Sequence, residues 1–213
     1  MKKIKILFPF VGKTLGGSHI SSLMLIKNLS KKKYETLVLV HEKGALTNYL
    51  KKYKIKFINT KNLNRYYDGN LIKVFFLMFK YKSILKNLKI DIVHTQDMTM
   101  HLTWLFACKI SRIHHIWHQR TKTGKKIILM AHLSSYFICI SNFIKQNLPK
   151  SLINKSKLIY NPFLEEKKIK YKRELKILNI ILIANLQKRK RVDIAIKIIA
   201  KLKKVSRFNV NLK

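Results

Sequence analysis

The first thirty residues constrain the fold more than any other stretch. Lys3-Ile4-Lys5-Ile6-Leu7-Phe8-Pro9 is an apolar run of strand length, and Gly16-Gly17-Ser18-His19 follows it as a glycine turn. Ile20, Leu23, Met24, Ile26 and Leu29 then recur at helical spacing, with Ser18 placed to cap the helix. Strand, glycine turn and helix together form the opening unit of a parallel α/β domain that presents a helix N-terminus to a ligand. Gly16 and Gly17 let the backbone approach a phosphate or a sugar with no Cβ in the way. The dinucleotide fingerprint needs a third glycine, and Ser18-His19-Ile20-Ser21 supplies none, so a plain strand-to-helix connection is the alternative.

The same alternation continues along the chain. Strands are expected at Ile4–Phe8, Thr36–Val40, Lys56–Ile58, Ile92–His94, His115–Trp117, Phe137–Ile140 and Leu158–Tyr160. Helices are expected at Ile20–Leu29, Ala45–Lys52, Asn70–Leu88, Met100–Lys109 and Asn142–Leu148. Such alternation predicts a Rossmann-like, doubly wound parallel α/β sheet over residues 1–163. Residues 164–176 carry Glu165, Glu166 and Glu174 among six basic residues and read as a solvated linker. After it the pattern restarts with a strand at Ile177–Ile183, a polar turn at Asn185–Arg191, a helix at Val192–Leu202 and a strand beginning at Phe208. A lone β-α-β start over 177–213 cannot build its own core, so the second domain is expected to be incomplete.

Composition excludes several classes. Forty-six basic residues face nine acids, a net charge of +37, yet only seven of the basic residues are Arg and no nucleic-acid motif is present. No nucleic-acid partner is therefore expected, a basic nucleic-acid-binding α/β protein being the third reading after the two functions named below. The charge reads as a mixture of a Lys-, Ile- and Asn-rich composition and attraction to anionic headgroups, worth about 1 kcal/mol per basic residue near a membrane. Cys108 and Cys139 sit in apolar runs without metal spacing and read as buried thiols of a cytosolic protein. The apolar stretch after Met1 is too short for a signal peptide, and Val74–Phe79, bounded by Lys73 and Lys80, cannot span a bilayer.

Five patches, taken in order, resemble the retaining glycosyltransferases of family four, which have two Rossmann-like domains facing one cleft (the GT-B fold). They are Gly16-Gly17-Ser18-His19, Ile90-Asp91-Ile92-Val93-His94, Trp117-His118-Gln119-Arg120, Ile138-Cys139-Ile140-Ser141 and Leu158-Ile159-Tyr160-Asn161-Pro162. A sixth, Asn185-Leu186-Gln187-Lys188-Arg189-Lys190, is similar to the turn where family members hold the donor diphosphate; Asn185 stands where many have Arg, and Lys190 matches their lysine. A solvated basic turn is the plain alternative there.

The resemblance implies a nucleotide-sugar donor, a glycan or lipid-linked acceptor and transfer with retention in cell-surface polysaccharide synthesis. Gly16, Gly17, Asn185 and Lys190 are then the donor and phosphate residues. His118 corresponds to a histidine near the donor sugar, and Arg120, two residues on, shares its face and reaches the sugar or acceptor. His94 ends a strand where α/β folds place ligand contacts, a hydrogen-bonded core histidine being the alternative. Asp97 is placed to orient an acceptor hydroxyl, whereas His101, His114, His115 and His132 read as structural or surface groups.

Only Glu35, Glu42, Asp68, Asp91 and Asp97 precede the linker, which disfavours a paired-acid hydrolase. No His or Cys pair is backed by carboxylates, so neither a metal nor another cofactor is expected. The family's E-x7-E pattern is absent, and with it most donor contacts, so the chain is expected to be a truncated transferase with impaired activity. Asn70–Lys89, with Leu71, Val74, Phe75, Leu77, Met78, Leu85 and Leu88 beside Lys73, Lys80, Lys82, Lys86 and Lys89, is the best candidate for docking on the inner face of the plasma membrane. A non-catalytic basic protein of that surface, keeping only the acceptor-side domain, is the competing function.

Overall fold

The computed structural model describes residues 2–59, 66–162, 177–184 and 186–213. The chain divides into two compact units after Leu164.

In the first unit, β1 (Ile4–Phe10), α1 (Gly17–Asn28), β2 (Tyr34–Val40), α2 (Ala45–Lys52), β3 (Ile58–Asn59), α3 (Leu71–Asn87), β4 (Ile92–Thr95), α4 (Met98–Ser111) and β5 (His114–Gln119) alternate as expected. They are followed by α5 (Lys125–Ile128) with a 3-10 turn over Leu129–Leu133, then β6 (Tyr136–Cys139), α6 (Asn142–Gln146), α7 (Lys150–Ile153) and β7 (Ser156–Leu158). The seven strands form one parallel sheet in the order β3-β2-β1-β4-β5-β6-β7. Strand order reverses between β1 and β4, and that switch point opens a crevice beyond the strands' C-terminal ends.

Burial explains the layers. Along β1, Ile6, Phe8 and Phe10 pack with Leu23, Val38, Val40, Leu46 and Leu50 on the α1–α2 side. Leu7 points the other way, onto Met78, Tyr81, Leu85, Met100 and Trp104 of α3 and α4, as the period of two requires. A third cluster joins Leu102 and Leu105 to Trp117, Phe137 and Cys139. Gly12 makes the turn out of β1 at φ +101°, where an added Cβ would lie 2.2 Å from both Glu42 O and Val40 Cγ1. No other residue fits there without displacing backbone.

Several expectations shift. β1 runs on through Pro9 to Phe10, because its pairing with β4 ends at Leu7 and the remainder has only β2 as neighbour, an edge-like setting that tolerates proline. The N-cap of α1 is the extended Gly16 rather than Ser18, whose carbonyl instead accepts from Ser22 Oγ at 2.6 Å. α4 begins at Met98, not Met100, because the Asp97 carboxylate accepts from Met100 N at 2.9 Å. β7 is Ser156–Leu158, two residues ahead of the expected Leu158–Tyr160.

In α3, Val74, Met78, Tyr81 and Leu85 are buried against the sheet, so three side chains expected to offer a membrane face belong to the core. Leu71 and Phe75 of the expected set are exposed, and Ile72, Phe75, Phe76 and Phe79 form an exposed apolar stripe at i, i+3, i+4 and i+7 on the opposite side. Among the described residues no helix is long and apolar enough to cross a membrane.

The second unit holds β8 (Ile177–Ile180), α8 (Val192–Val205) and β9 (Asn209–Leu212), with β8 and β9 parallel. β8 stops three residues short of the expected Ile183, which is almost fully exposed. The expected linker and Asn185 lie outside the described residues.

Candidate functional site

The crevice at the switch point is assembled from the loops that leave β1, β4 and β5, and chemistry gathers there because those strands end in polar residues. His94, Thr95 and Gln96 close β4, and His118, Gln119 and Arg120 close β5, all but Arg120 buried. His94 Nε2 and His118 Nδ1 are 3.2 Å apart with their rings stacked, and Phe8 packs against His94 at 5.1 Å between centroids. Behind them Thr95 Oγ1 meets His101 Nδ1 at 2.6 Å and His115 Nε2 at 2.8 Å. With one hydrogen to give, that hydroxyl accepts from at least one of the two rings. His101 and His115 are thereby sealed structural groups, as expected, and His101 stacks on Trp117.

Electrostatics keep these imidazoles neutral. Burial, then the charge of Arg120, pushes His118 down to about 3, and burial followed by His118 and Arg120 holds His94 well below 6.5. A ring that is uncharged at neutral pH and has one nitrogen engaged presents the other as a neutral hydrogen-bonding group; His118 Nε2 has no partner among the described residues.

Arg120 is the centre of the arrangement. Its Nε and Nη2 donate to Gln96 Oε1 at 2.9 and 2.6 Å, and Nη1 donates to Ser21 Oγ at 3.2 Å and to Asn161 Oδ1. Ser21 Oγ in turn donates to Asn161 Oδ1 at 3.3 Å. One guanidinium thus ties together the first helix, the end of β4, the end of β5 and the turn after β7. Two of the sequence patches supply Arg120 and Asn161, and Ser21 and Gln96 each stand two residues beyond a patch. Gln119 fixes the loop beyond, accepting from Trp117 Nε1 at 2.6 Å and donating to Thr123 Oγ1 at 2.9 Å.

The glycine loop flanks this network. His19 Nδ1 accepts from Gly16 N at 3.1 Å and locks the entry to α1, while an added Cβ at Gly17 would meet nothing within 4 Å. The protein itself does not need glycine at that position, which leaves open space at the positive end of a twelve-residue helix. Asp97 borders the same crevice; burial raises its carboxyl above the usual range while its cap to Met100 N opposes the rise.

Lys190 lies in the second unit, exposed at the end of a 3-10 turn over Lys188–Lys190 that precedes α8. Beside it lies a cavity of about 580 Å³ lined by Leu186, Gln187, Lys188, Arg191 and Val192. Among the described residues no three His, Cys, Asp or Glu side chains come together to hold a metal ion. Sequence reasoning missed Ser21, Gln96 and Asn161 as partners of Arg120. Ser21 is one of several polar residues on α1, Gln96 was legible only as a neighbour of His94, and Asn161 stood in the last patch of the first domain with nothing to mark Arg120 as its partner.

Comparison with known proteins gives the family and the fold. The family model described as Glycosyltransferase Family 4 matches residues 15–163. No curated protein matches the chain. Among solved structures, the Anabaena protein Alr3699/HepE, in complex with UDP and glucose, superposes with a TM-score of 0.58 at 19% identity, over 75% of this chain and 45% of its own. MurG of Acinetobacter baumannii gives 0.62 at 14% identity, over 100% and 65%. The lipopolysaccharide outer core galactosyltransferase WaaB, in its apo form, gives 0.63 at 19% identity, over 98% and 60%. At these identities the likeness is one of fold, and the chain spans under half the length of the Anabaena protein.

Proposed function

The chain belongs to glycosyltransferase family four, and from that premise we propose that it serves the transfer of a sugar from a nucleotide-sugar donor to a glycan or lipid-linked acceptor, with retention, in cell-surface polysaccharide synthesis. The observation that carries the proposal is the convergence of Ser21 on α1, Gln96 and Asn161 on Arg120, beside the stacked His94–His118 pair, at the switch point of the sheet. That the Anabaena protein was solved with UDP and glucose supports a nucleotide-sugar as partner.

In this reading the N–H groups that open α1 meet the donor phosphates, and Gly17 leaves them room. Lys190 supplies charge to the departing diphosphate, and Asn185 before it a neutral hydrogen-bonding amide. His118, held neutral, contacts the donor sugar; the acceptor lies against His94 and Arg120, with Asp97 orienting its hydroxyl. The C–O bond to the nucleoside diphosphate breaks on the face where the new glycosidic bond forms, and the leaving phosphate takes the acceptor's proton. No protein base and no metal is required by this scheme. Residues 177–213 belong to the donor-binding half, and residues 1–163 form the acceptor-side domain. We place the protein in the cytoplasm, peripheral on the membrane through the exposed face of α3.

The test is acceptor-dependent release of nucleoside diphosphate from a panel of nucleotide-sugars, with product anomers assigned by NMR. Transfer with the donor's anomeric configuration kept, and a loss of about 10²-fold in kcat for His118→Ala, is the expected result. No transfer from any donor, with flotation on anionic vesicles intact, would establish the non-catalytic surface protein instead.

A further inference from the structure

We propose that Arg120 reads a negative charge on the acceptor, a carboxylate or a phosphate carried by the sugar that receives the transferred unit. The proposal rests on the transferase reading above and names the class of its second substrate.

The guanidinium has five N–H donors, and the protein satisfies four: two with Gln96 Oε1, one with Ser21 Oγ and one with Asn161 Oδ1. Every one of these acceptors is a neutral oxygen, and no carboxylate among the described residues pairs with Arg120. One Nη2 hydrogen is left over. Most of the chain's cations stand in solvent, where a missing counter-ion costs little. Arg120 does not: burial draws it down to about 10, the mark of a cation that water and protein neutralise poorly.

Gln96 shows what holding the cation there costs. A guanidinium only donates, so the amide must turn its oxygen to Arg120, which fixes Nε2 on the far side. That nitrogen is buried and has no partner among the described residues. His118 Nε2, close to the same charge, is buried without a partner as well. A network that leaves two polar atoms unsatisfied to hold one cation in place is poor stabilisation and good pre-organisation. The imidazoles around it are neutral and offer no competing charge.

Position separates the two substrates. The glycine loop at the start of α1 is the place for donor phosphates, whereas Arg120 touches α1 one turn further on, at Ser21, and reaches the turn after β7 through Asn161. The charge it meets is therefore the acceptor's.

Binding of four probes to the purified 213-residue chain decides the matter: glucose, glucuronate, glucose 1-phosphate and UDP. Wild type is expected to bind the two charged sugars about tenfold or more tighter than glucose, as a charge-assisted contact implies, and Arg120→Gln to bring that ratio near one. Arg120→Lys should keep part of it. Lys51→Gln, which removes an equal charge from the exposed face of α2, should leave it unchanged. A preference that survives Arg120→Gln, or that falls equally in Lys51→Gln, overturns the proposal. So does an Arg120→Gln defect seen with UDP and not with the charged sugars, because the charge read is then the donor's. Should Arg120→Gln fail to fold, the Arg120 Nε–Hε resonance of wild type carries the test; it must move with glucuronate and stay with glucose. These are binding measurements, so absence of sugar transfer would sink the transferase reading without altering this result.

Discussion

Gly12 and Gly17 are five residues apart and fail for opposite reasons when given a side chain. At Gly12 an added Cβ lies 2.2 Å from Glu42 O at φ +101°, so Gly12→Ala should cost more than about 2 kcal/mol, read as a fall in the urea midpoint. At Gly17 an added Cβ meets nothing within 4 Å, so Gly17→Ala should leave stability within about 0.5 kcal/mol while weakening nucleotide-sugar binding. Equal stability with equal binding would remove the glycine loop from the site. The buried histidines make a second prediction at this scale. His115 and His118 are both held at about 3 in the folded chain, against 6.5 in the unfolded one, so folding stability is fully present above pH 6.5. It falls as acid enters through 6.5 toward 3, because the unfolded chain takes up protons that the folded chain refuses, at about 1 kcal/mol per pH unit for each ring. Urea midpoints measured between pH 7 and 4.5 should show that slope, and His115→Gln should flatten it.

Elements differ in how far their sequence foretold them. α2 falls on its expected bounds, Ala45–Lys52, because Gly44 and the basic last turn punctuate it. β1 and β4 were legible as apolar runs of a sheet buried on both faces. α5 and α7 were not, since four residues of helix carry no period to read. α3 was legible as a helix but not in its faces: a stretch apolar on two sides gives periodicity no way to choose, and only packing shows that Val74, Met78 and Leu85 turn inward. Its outward stripe carries our prediction for the membrane. Phe75→Ser with Phe76→Ser, both more than half exposed, should leave the thermal midpoint unchanged and abolish flotation on vesicles containing phosphatidylglycerol. Flotation that survives the pair would move membrane attachment elsewhere on this basic chain.

At the scale of the whole molecule, the site follows from topology. Motifs 24 to 140 residues apart in sequence meet because the strand order reverses between β1 and β4. The sequence order of the patches therefore sufficed to name the family and the fold, and to single out His118 and Arg120. It did not reveal that Arg120 joins the others, because Ser21, Gln96 and Asn161 carry no chemistry that marks them before they are brought together. Lys190 belongs to the second unit, and its role stands on family likeness and charge alone.

The central claim, that substrate binds at the switch point, is tested most directly by titrating the isotopically labelled chain with UDP-glucose and following backbone amides by NMR. The account predicts that the largest shifts fall on Gly16, Gly17, Gln96, His118 and Arg120. Shifts gathered instead at the N-terminal end of β5, around Arg112, His114 and His132, or none at all, would contradict it.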